Sequence, residues 1–213
     1  MAQIKIDLHV HTCERSACAS LSAEEQIQAA IQAGLDAVGF ADHDILWPKD
    51  LLQDLNQMYA PFRIFSGIEV SVIGGEHILV YGIDDRRLEE YAWHYPDLYD
   101  LVQEGQGFMA LNHPYRFTPN IEIDYRNYPP HALEAYSNHI VPHCQKRILS
   151  LAEQFNFKVM SNSDGHHRGQ IGKYYNVFEE LPENEHDLAQ LLRHGDFQCV
   201  SPQSKSECRA YTR

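Results

Sequence analysis

Cysteine is scarce and unpatterned. The 213 residues hold five, Cys13, Cys18, Cys144, Cys199 and Cys208, an odd number with no CxxC pair. That disfavours a closed structural zinc site and a disulfide framework, and points to a reducing compartment. Basic residues are few as well: 17 Lys and Arg stand against 30 Asp and Glu. The resulting net charge of −13 would repel a long nucleic acid, whose phosphates are gripped by clustered cations. A short nucleotide is not excluded, because bound divalent cations would reverse the sign locally. No apolar run approaches the ~20 residues of a membrane span. No basic segment leading into a long apolar stretch opens the chain. The expectation is a cytoplasmic protein without a membrane span. Gly/Ser linkers, repeats and low-complexity tracts are missing too, and 44% hydrophobic residues suffice for one sizeable core. A single domain over residues 1–213 is expected, short for a β/α barrel and with little room for an appended module.

What the chain has instead is histidine, 13 residues, much of it in short polar segments that follow apolar runs. Asp-Leu-His-Val-His-Thr occupies 7–12, Ala-Asp-His-Asp 41–44, Gly-Ile-Glu-Val 67–70, Asn-His-Pro 112–114 and Ser-Asp-Gly-His 163–166. Imidazole nitrogen mixed with carboxylate oxygen suits zinc, manganese or iron better than calcium, which prefers all-oxygen sites. The recurrence describes a multi-metal hydrolytic centre assembled from strand ends. Of these residues His9 and His11 carry the clearest spacing, since alternate residues of a strand share a face and both imidazoles can reach one ion.

Strand and helix signals alternate. Strands are expected at Gln3–Leu8, Leu35–Phe40, Phe62–Phe65, His77–Tyr81, Gly107–Leu111, Leu133–Tyr136, Phe157–Met160 and Asn176–Phe178. A capping box at Ser22 and Glu25 opens a helix with Ile27, Ala30 and Ile31 on one face, ending at Gly34. Pro48 begins a second helix through Leu51, Leu52, Leu55 and Met58, and Pro142 to Phe155 reads as a third. Such alternation indicates a parallel α/β sheet, and in barrels of this class the site lies at the C-terminal ends of the strands. The tail from Gln198 to Arg213 is polar and carries no clear element.

Taken together, His9 and His11 (HxH), Asp42 and His43 (DH), Glu69 (GIE), His77 (HILVYG), His113 (NHP) and Asp164 with His166 (SDGH) resemble the PHP (polymerase and histidinol phosphatase) superfamily over roughly residues 5–175. The resemblance implies an irregular (β/α)7-type barrel. It also implies a phosphoesterase that uses two or three divalent ions, zinc, manganese or iron. His9, His11, His43, Glu69, His77, His113, Asp164 and His166 would be the metal ligands, with Glu69 bridging two ions and His77 and His113 completing the second. A third ion would use His43 and His166 with a His or Asp from the loop after HxH. Here that loop reads Cys13-Glu14-Arg15-Ser16-Ala17-Cys18-Ala19-Ser20 and has neither, leaving Glu14, Cys13 or a two-metal centre.

The substrate expected is a small phosphorylated metabolite or nucleotide, cleaved by a metal-bound hydroxide, with His43, Asp164 and His166 as catalytic groups. Arg15, Arg116 and Arg168 each follow a metal motif and are candidate phosphate donors, because a guanidinium fork matches a phosphate bidentately. Lys173 and the Tyr174-Tyr175 pair could line the same mouth. Asp7 and Asp42 could orient ligand imidazoles. His94, His131, His186 and His194 read as ordinary surface or core residues; His139 and His143 stay open, as does the oligomeric state. Two other readings remain: an amidohydrolase-like centre acting on a non-phosphate bond, and a non-catalytic metal-binding module.

Overall fold

The computed structural model describes residues 3–90, 92–202 and 208–209. Among these the chain runs β1 (Ile4–Val10), α1 (Ala23–Gln32), β2 (Ala37–Phe40), α2 (Lys49–Tyr59), β3 (Arg63–Ser66), β4 (Ile68–Ser71) and β5 (His77–Tyr81). It continues through α3 (Arg87–Glu90), α4 (Tyr95–Glu104), β6 (Phe108–Leu111), β7 (Ala132–Tyr136), α5 (Pro142–Phe155) and β8 (Lys158–Ser161). It ends with β9 (Tyr175–Phe178), α6 (Glu185–His194), β10 (Gln198–Val200) and β11 (Cys208–Arg209). The strands form a mixed α/β fold of two sheets, ordered β11-β10-β9-β1-β2-β3 and β4-β5-β6-β7-β8. The two sets β1-β2-β3 and β6-β7-β8 are parallel, whereas β5 is antiparallel to both neighbours and β9 is antiparallel to β1.

The pairing of the described residues therefore traces two ladders, not the single closed ring of a (β/α)7 barrel. The reason lies at the two seams. At one, Gly67 alone separates β3 from β4 and hands the chain from the first sheet to the second. At the other, side chains replace the ladder between β1 and β8. Leu8 N donates to Asn162 Oδ1 (3.3 Å) and Ser163 N to Asp7 Oδ1 (2.9 Å). Asn176 of β9 binds Ser161 through both ends of its amide, at 3.1 and 2.8 Å. Beyond the strand ends the seam closes with backbone bonds between His9, His11 and Gly165.

Tyr81 ties the motif-bearing strands together. Its buried ring lies against Gly39 and Gly67, where an added Cβ would come within 1.9 Å of its hydroxyl oxygen and 2.5 Å of Cζ respectively, and its hydroxyl donates to Leu8 O (2.9 Å). Only glycine at position 39 of β2, ahead of Asp42, and at position 67 between β3 and β4, ahead of Glu69, lets the backbone close around that ring.

The α1 capping box is present, with Glu25 N on Ser22 Oγ and Ser22 N on Glu25 Oε2. Ile27 and Ala30 are buried, but Ile31, Leu51 and Met58 are exposed, so the apolar faces of α1 and α2 are narrower than the sequence spacing implies. Three helices lie outside the sequence expectation, the short α3 among them. The α4 helix buries Tyr95, Leu98, Leu101 and Val102, and α6 buries Leu188, Ala189 and Leu192. Lys158 secures the end of α6 by donating to the carbonyls of Leu192, Arg193 and Gly195 at 2.8–2.9 Å. Of the polar tail, residues 198–200 extend the first sheet and 208–209 pair with them; residues 203–207 and 210–213 lie outside the described residues.

Candidate metal centre

All the motif residues converge at one end of the sheets. His9 and His11 come from the end of β1, His43 from just past β2, Glu69 from β4, His113 from just past β6, and Asp164 and His166 from just past β8. His77 reaches the same end from the first residue of β5, because that strand runs the other way. A one-residue bridge between His43 and Glu69, with Asp44 N on Glu69 O and Glu69 N on Asp42 O, fixes the DH segment against β4.

Glu69 is the hub. One carboxylate oxygen lies 3.3 Å from His9 Nε2, 3.3 Å from His77 Nδ1 and 3.0 Å from His113 Nε2. The other lies 3.1 Å from His43 Nδ1 and 3.4 Å from His11 Nε2. Asp164 Oδ1 adds a third side, 3.2 Å from His11 Nε2, 3.6 Å from His9 Nε2 and 3.3 Å from His166 Nδ1. The ligating atoms of His9, His11 and Asp164, of His43, Glu69 and His77, of His11, His43 and His166, and of His139, Asp164 and His166 each fall within 4.8 Å of one another.

The electrostatics call for cations. Glu69, Glu134 and Asp164 are buried carboxylates, and Arg116 is the one Lys or Arg forming an ion pair with any of them among the described residues. Burying ionised carboxylates uncompensated is prohibitive. Burial would by itself lower the pKa of His9, yet Glu69, Glu134 and Asp164 together drive it well above the ordinary histidine value. A divalent cation held among these groups would balance the same charge. Burial likewise opposes ionisation of Glu69 and Asp164, but the charge on His9 and contacts from His113 and His77 on one side, and His11 on the other, hold both carboxyls below their usual range. His11 is pushed down to about 3, by burial above all, and so keeps a free lone pair. Glu69 Oε2, Asp164 Oδ1, His77 Nδ1 and His139 Nε2 are buried without a hydrogen-bond partner. This donor set, nitrogen and oxygen with unspent lone pairs around excess negative charge, fits divalent metal ions.

Supporting residues divide differently from the sequence reading. The carboxylate that faces a ligand imidazole is Glu134 of β7, 2.9 Å from His9 Nδ1, with Asn162 Nδ2 donating to the same oxygen (3.1 Å). Asp7 instead accepts from the backbone of His9 and Ser163, and burial pushes its carboxyl up to about 7. Asp42 accepts from Thr12 N, Thr12 Oγ1, Ser16 Oγ and Trp47 Nε1 at 2.6–2.8 Å. It reaches a ligand only through Ser16, whose Oγ is 3.3 Å from His11 Nδ1. Asp44 accepts from Ser71 N.

The three arginines separate. Arg116 donates to Asp164 Oδ2 at 2.7 Å, Arg15 lies over the Trp47 ring, and Arg168 is 84% exposed and pairs loosely with Glu25. Glu14 is spent at the start of α1, accepting from Ala23 N at 3.1 Å, and Cys13 is exposed beside it, so neither is gathered into the clusters. Tyr174 and Tyr175 pack partly buried against the apolar core clusters, and Lys173 is exposed. His131 is structural: its Nδ1 accepts from Met109 N, and burial lowers its pKa to about 4. His139 joins the centre. The loop after β7 that carries it is held by Asn138, which donates to Ser163 O and Gln170 O. Glu134 and His139 are the residues the sequence motifs missed.

Comparison with solved structures finds the same fold at low identity. A provisionally assigned metal-dependent phosphoesterase from Bifidobacterium adolescentis superposes with a TM-score of 0.63 at 14% identity, covering 88% of this chain and 96% of its own. PsfC from Pseudomonas syringae PB-5123 gives 0.66 at 18%, covering 89% and 88%. An amidohydrolase from Chromobacterium violaceum, with bound sulfate and no metal, gives 0.61 at 15%, covering 93% and 98%. Curated proteins yield no match. The family model of the PHP domain matches residues 7–207, which takes in every motif at the centre, and the chain belongs to the PHP domain family.

Proposed function

We propose that this protein is a metal-dependent phosphoesterase that hydrolyses a small phosphorylated substrate. The observation that carries the reading is the buried cluster of imidazoles and carboxylates around Glu69, with Arg116 at its side. His9, His11 and Asp164 would hold one ion and His77 and His113 a second, with Glu69 between them. We assign two tightly held ions, not three, because Glu14 and Cys13 are engaged outside the centre. Ions in such a site lower the pKa of water to about 7 and neutralise charge on phosphoryl oxygens. We read the two sheets as halves of an irregular barrel with this centre at its mouth.

The protein's own groups do the rest. Arg116, held in place by Asp164, presents its remaining N–H donors to the non-bridging phosphate oxygens, where charge grows in the transition state. His43, with 29% of its side chain exposed, and the buried His166 beside Asp164 each offer a ring nitrogen that can deliver a proton to the departing alkoxide. Asp164 orients both Arg116 and His166.

Protein reconstituted separately with manganese, zinc and iron should release inorganic phosphate from phosphate monoesters and leave aryl acetates and anilides intact. Arg116→Ala should keep its metal content and lose about tenfold or more in kcat/KM, the scale of a charged hydrogen bond. Cleavage of the anilides without phosphate release would replace the phosphoesterase reading by the amidohydrolase one, and no turnover of any ester by metal-replete protein would favour the binding module. Wild-type kinetics in Arg116→Ala would remove that residue from the substrate's path.

A further inference from the structure

Phe117 is an apolar ring set out in solvent beside a highly polar centre. Its exposure is 60%, and it is the one aromatic residue among the exposed large hydrophobics of the described chain. Its ring centroid lies 5.3 Å from that of His77 and 5.6 Å from that of His113, nearly edge-on to the latter, and the Arg116 guanidinium stands 5.0 Å from it. One short segment, His113-Pro114-Tyr115-Arg116-Phe117, therefore supplies a metal-facing imidazole, the phosphate donor and the ring.

The backbone of that segment is strained to do so. His113 and Tyr115 have φ of +28° and +67°, in the left-handed region that residues with a Cβ rarely enter. Strain of this kind persists only where the surroundings enforce it, and it concentrates where it serves a ligand. The enforcement is visible: the Arg147 guanidinium lies 3.7 Å from the Tyr115 ring centroid, Cys144 Sγ donates to Tyr115 O, and Arg116 N bonds back to His113 O. The ring is thus presented by a pinned turn, not by a loose loop tip.

We propose that Phe117 forms a stacking subsite for a planar aromatic group carried by the substrate next to its phosphate. This rests on the phosphoesterase reading. A flat ring that is 60% exposed, a few ångströms from an oxyanion grip and with the Arg116 guanidinium over it, matches a ligand that is anionic at one end and planar at the other, since stacked aromatic pairs gain more than their buried area alone. A merely apolar partner would gain the area and not the stacking. The plainer role, in which the ring only shields His77 and His113 from water, makes a different demand, because it would show in metal retention.

Calorimetry with manganese-loaded protein and two non-hydrolysable probes of equal charge and similar size, phenylphosphonate and cyclohexylphosphonate, separates these cases. Wild type should prefer the planar probe by about tenfold. Phe117→Ala should lose that preference at unchanged metal content, and Phe117→Tyr should restore it. Equal binding of both probes by wild type, or a preference that survives in Phe117→Ala, overturns the subsite while leaving the phosphoesterase reading intact. Loss of metal in Phe117→Ala assigns the ring to shielding and also overturns it. Failure of both probes to bind counts against the phosphate grip itself, and the subsite falls with it.

Discussion

Replacing His9 and His11 together by alanine is expected to give a folded protein that retains neither metal nor turnover. Both side chains are fully buried, and both direct Nε2 at Glu69 and Asp164 instead of packing in an apolar cluster. The pair therefore serves charge balance and ligation more than core packing. Metal bound only to the native state adds stability, about 2.7 kcal/mol at a free concentration one hundred times Kd. Chelation should accordingly lower the wild-type melting temperature and leave that of the double variant unmoved. Plasma emission analysis and thermal scans with and without chelator check both parts, and unchanged metal stoichiometry in the double variant would end the assignment.

Glu69→Gln is the second large effect. The substitution keeps volume but removes the anion that lies within 3.4 Å of five imidazoles, so both of the proposed ions would be weakened at once. Losing a residue that only orients a ligand typically costs 10–100-fold in metal affinity or activity. Losing the shared ligand should cost at least about 100-fold in kcat/KM. Stability should fall in both states. In metal-free protein the change takes the negative partner away from the buried His9 imidazole, which it faces at 3.3 Å; in metal-loaded protein the variant should melt further below wild type still. Wild-type turnover would make Glu69 an ordinary buried acid.

Much of this centre was legible because its chemistry is local. A histidine pair at i, i+2 or an acid straight after an apolar run announces itself within a few residues, and β5 and α5 fall on the stretches their periodicity marks. What escaped depends on partners far along the chain. Glu134 sits in Ala-Leu-Glu-Ala-Tyr, an apolar strand, and its only local sign was that a buried acid must have a partner; that partner, His9, is 125 residues away. His139 stays open from sequence alone, a histidine after a strand end, until Asn138 binds the Ser163 loop and sets it beside Asp164 and His166. Arg116 and Arg168 both follow a metal motif, yet one is drawn to Asp164 and the other stays in solvent, a difference set by loop path. The reversal of β5 within its sheet leaves no mark in hydrophobic pattern, because buried parallel and antiparallel strands are both continuous apolar runs.

If these side chains surround metal ions, crystals of manganese- or zinc-reconstituted protein will show them in an anomalous-difference map recorded at the metal's absorption edge. Two peaks are expected inside the cluster, one against His9, His11 and Asp164 and the other against His77 and His113, with the Glu69 carboxylate between them. An empty cluster, or peaks confined to surface histidines such as His94, would contradict the account.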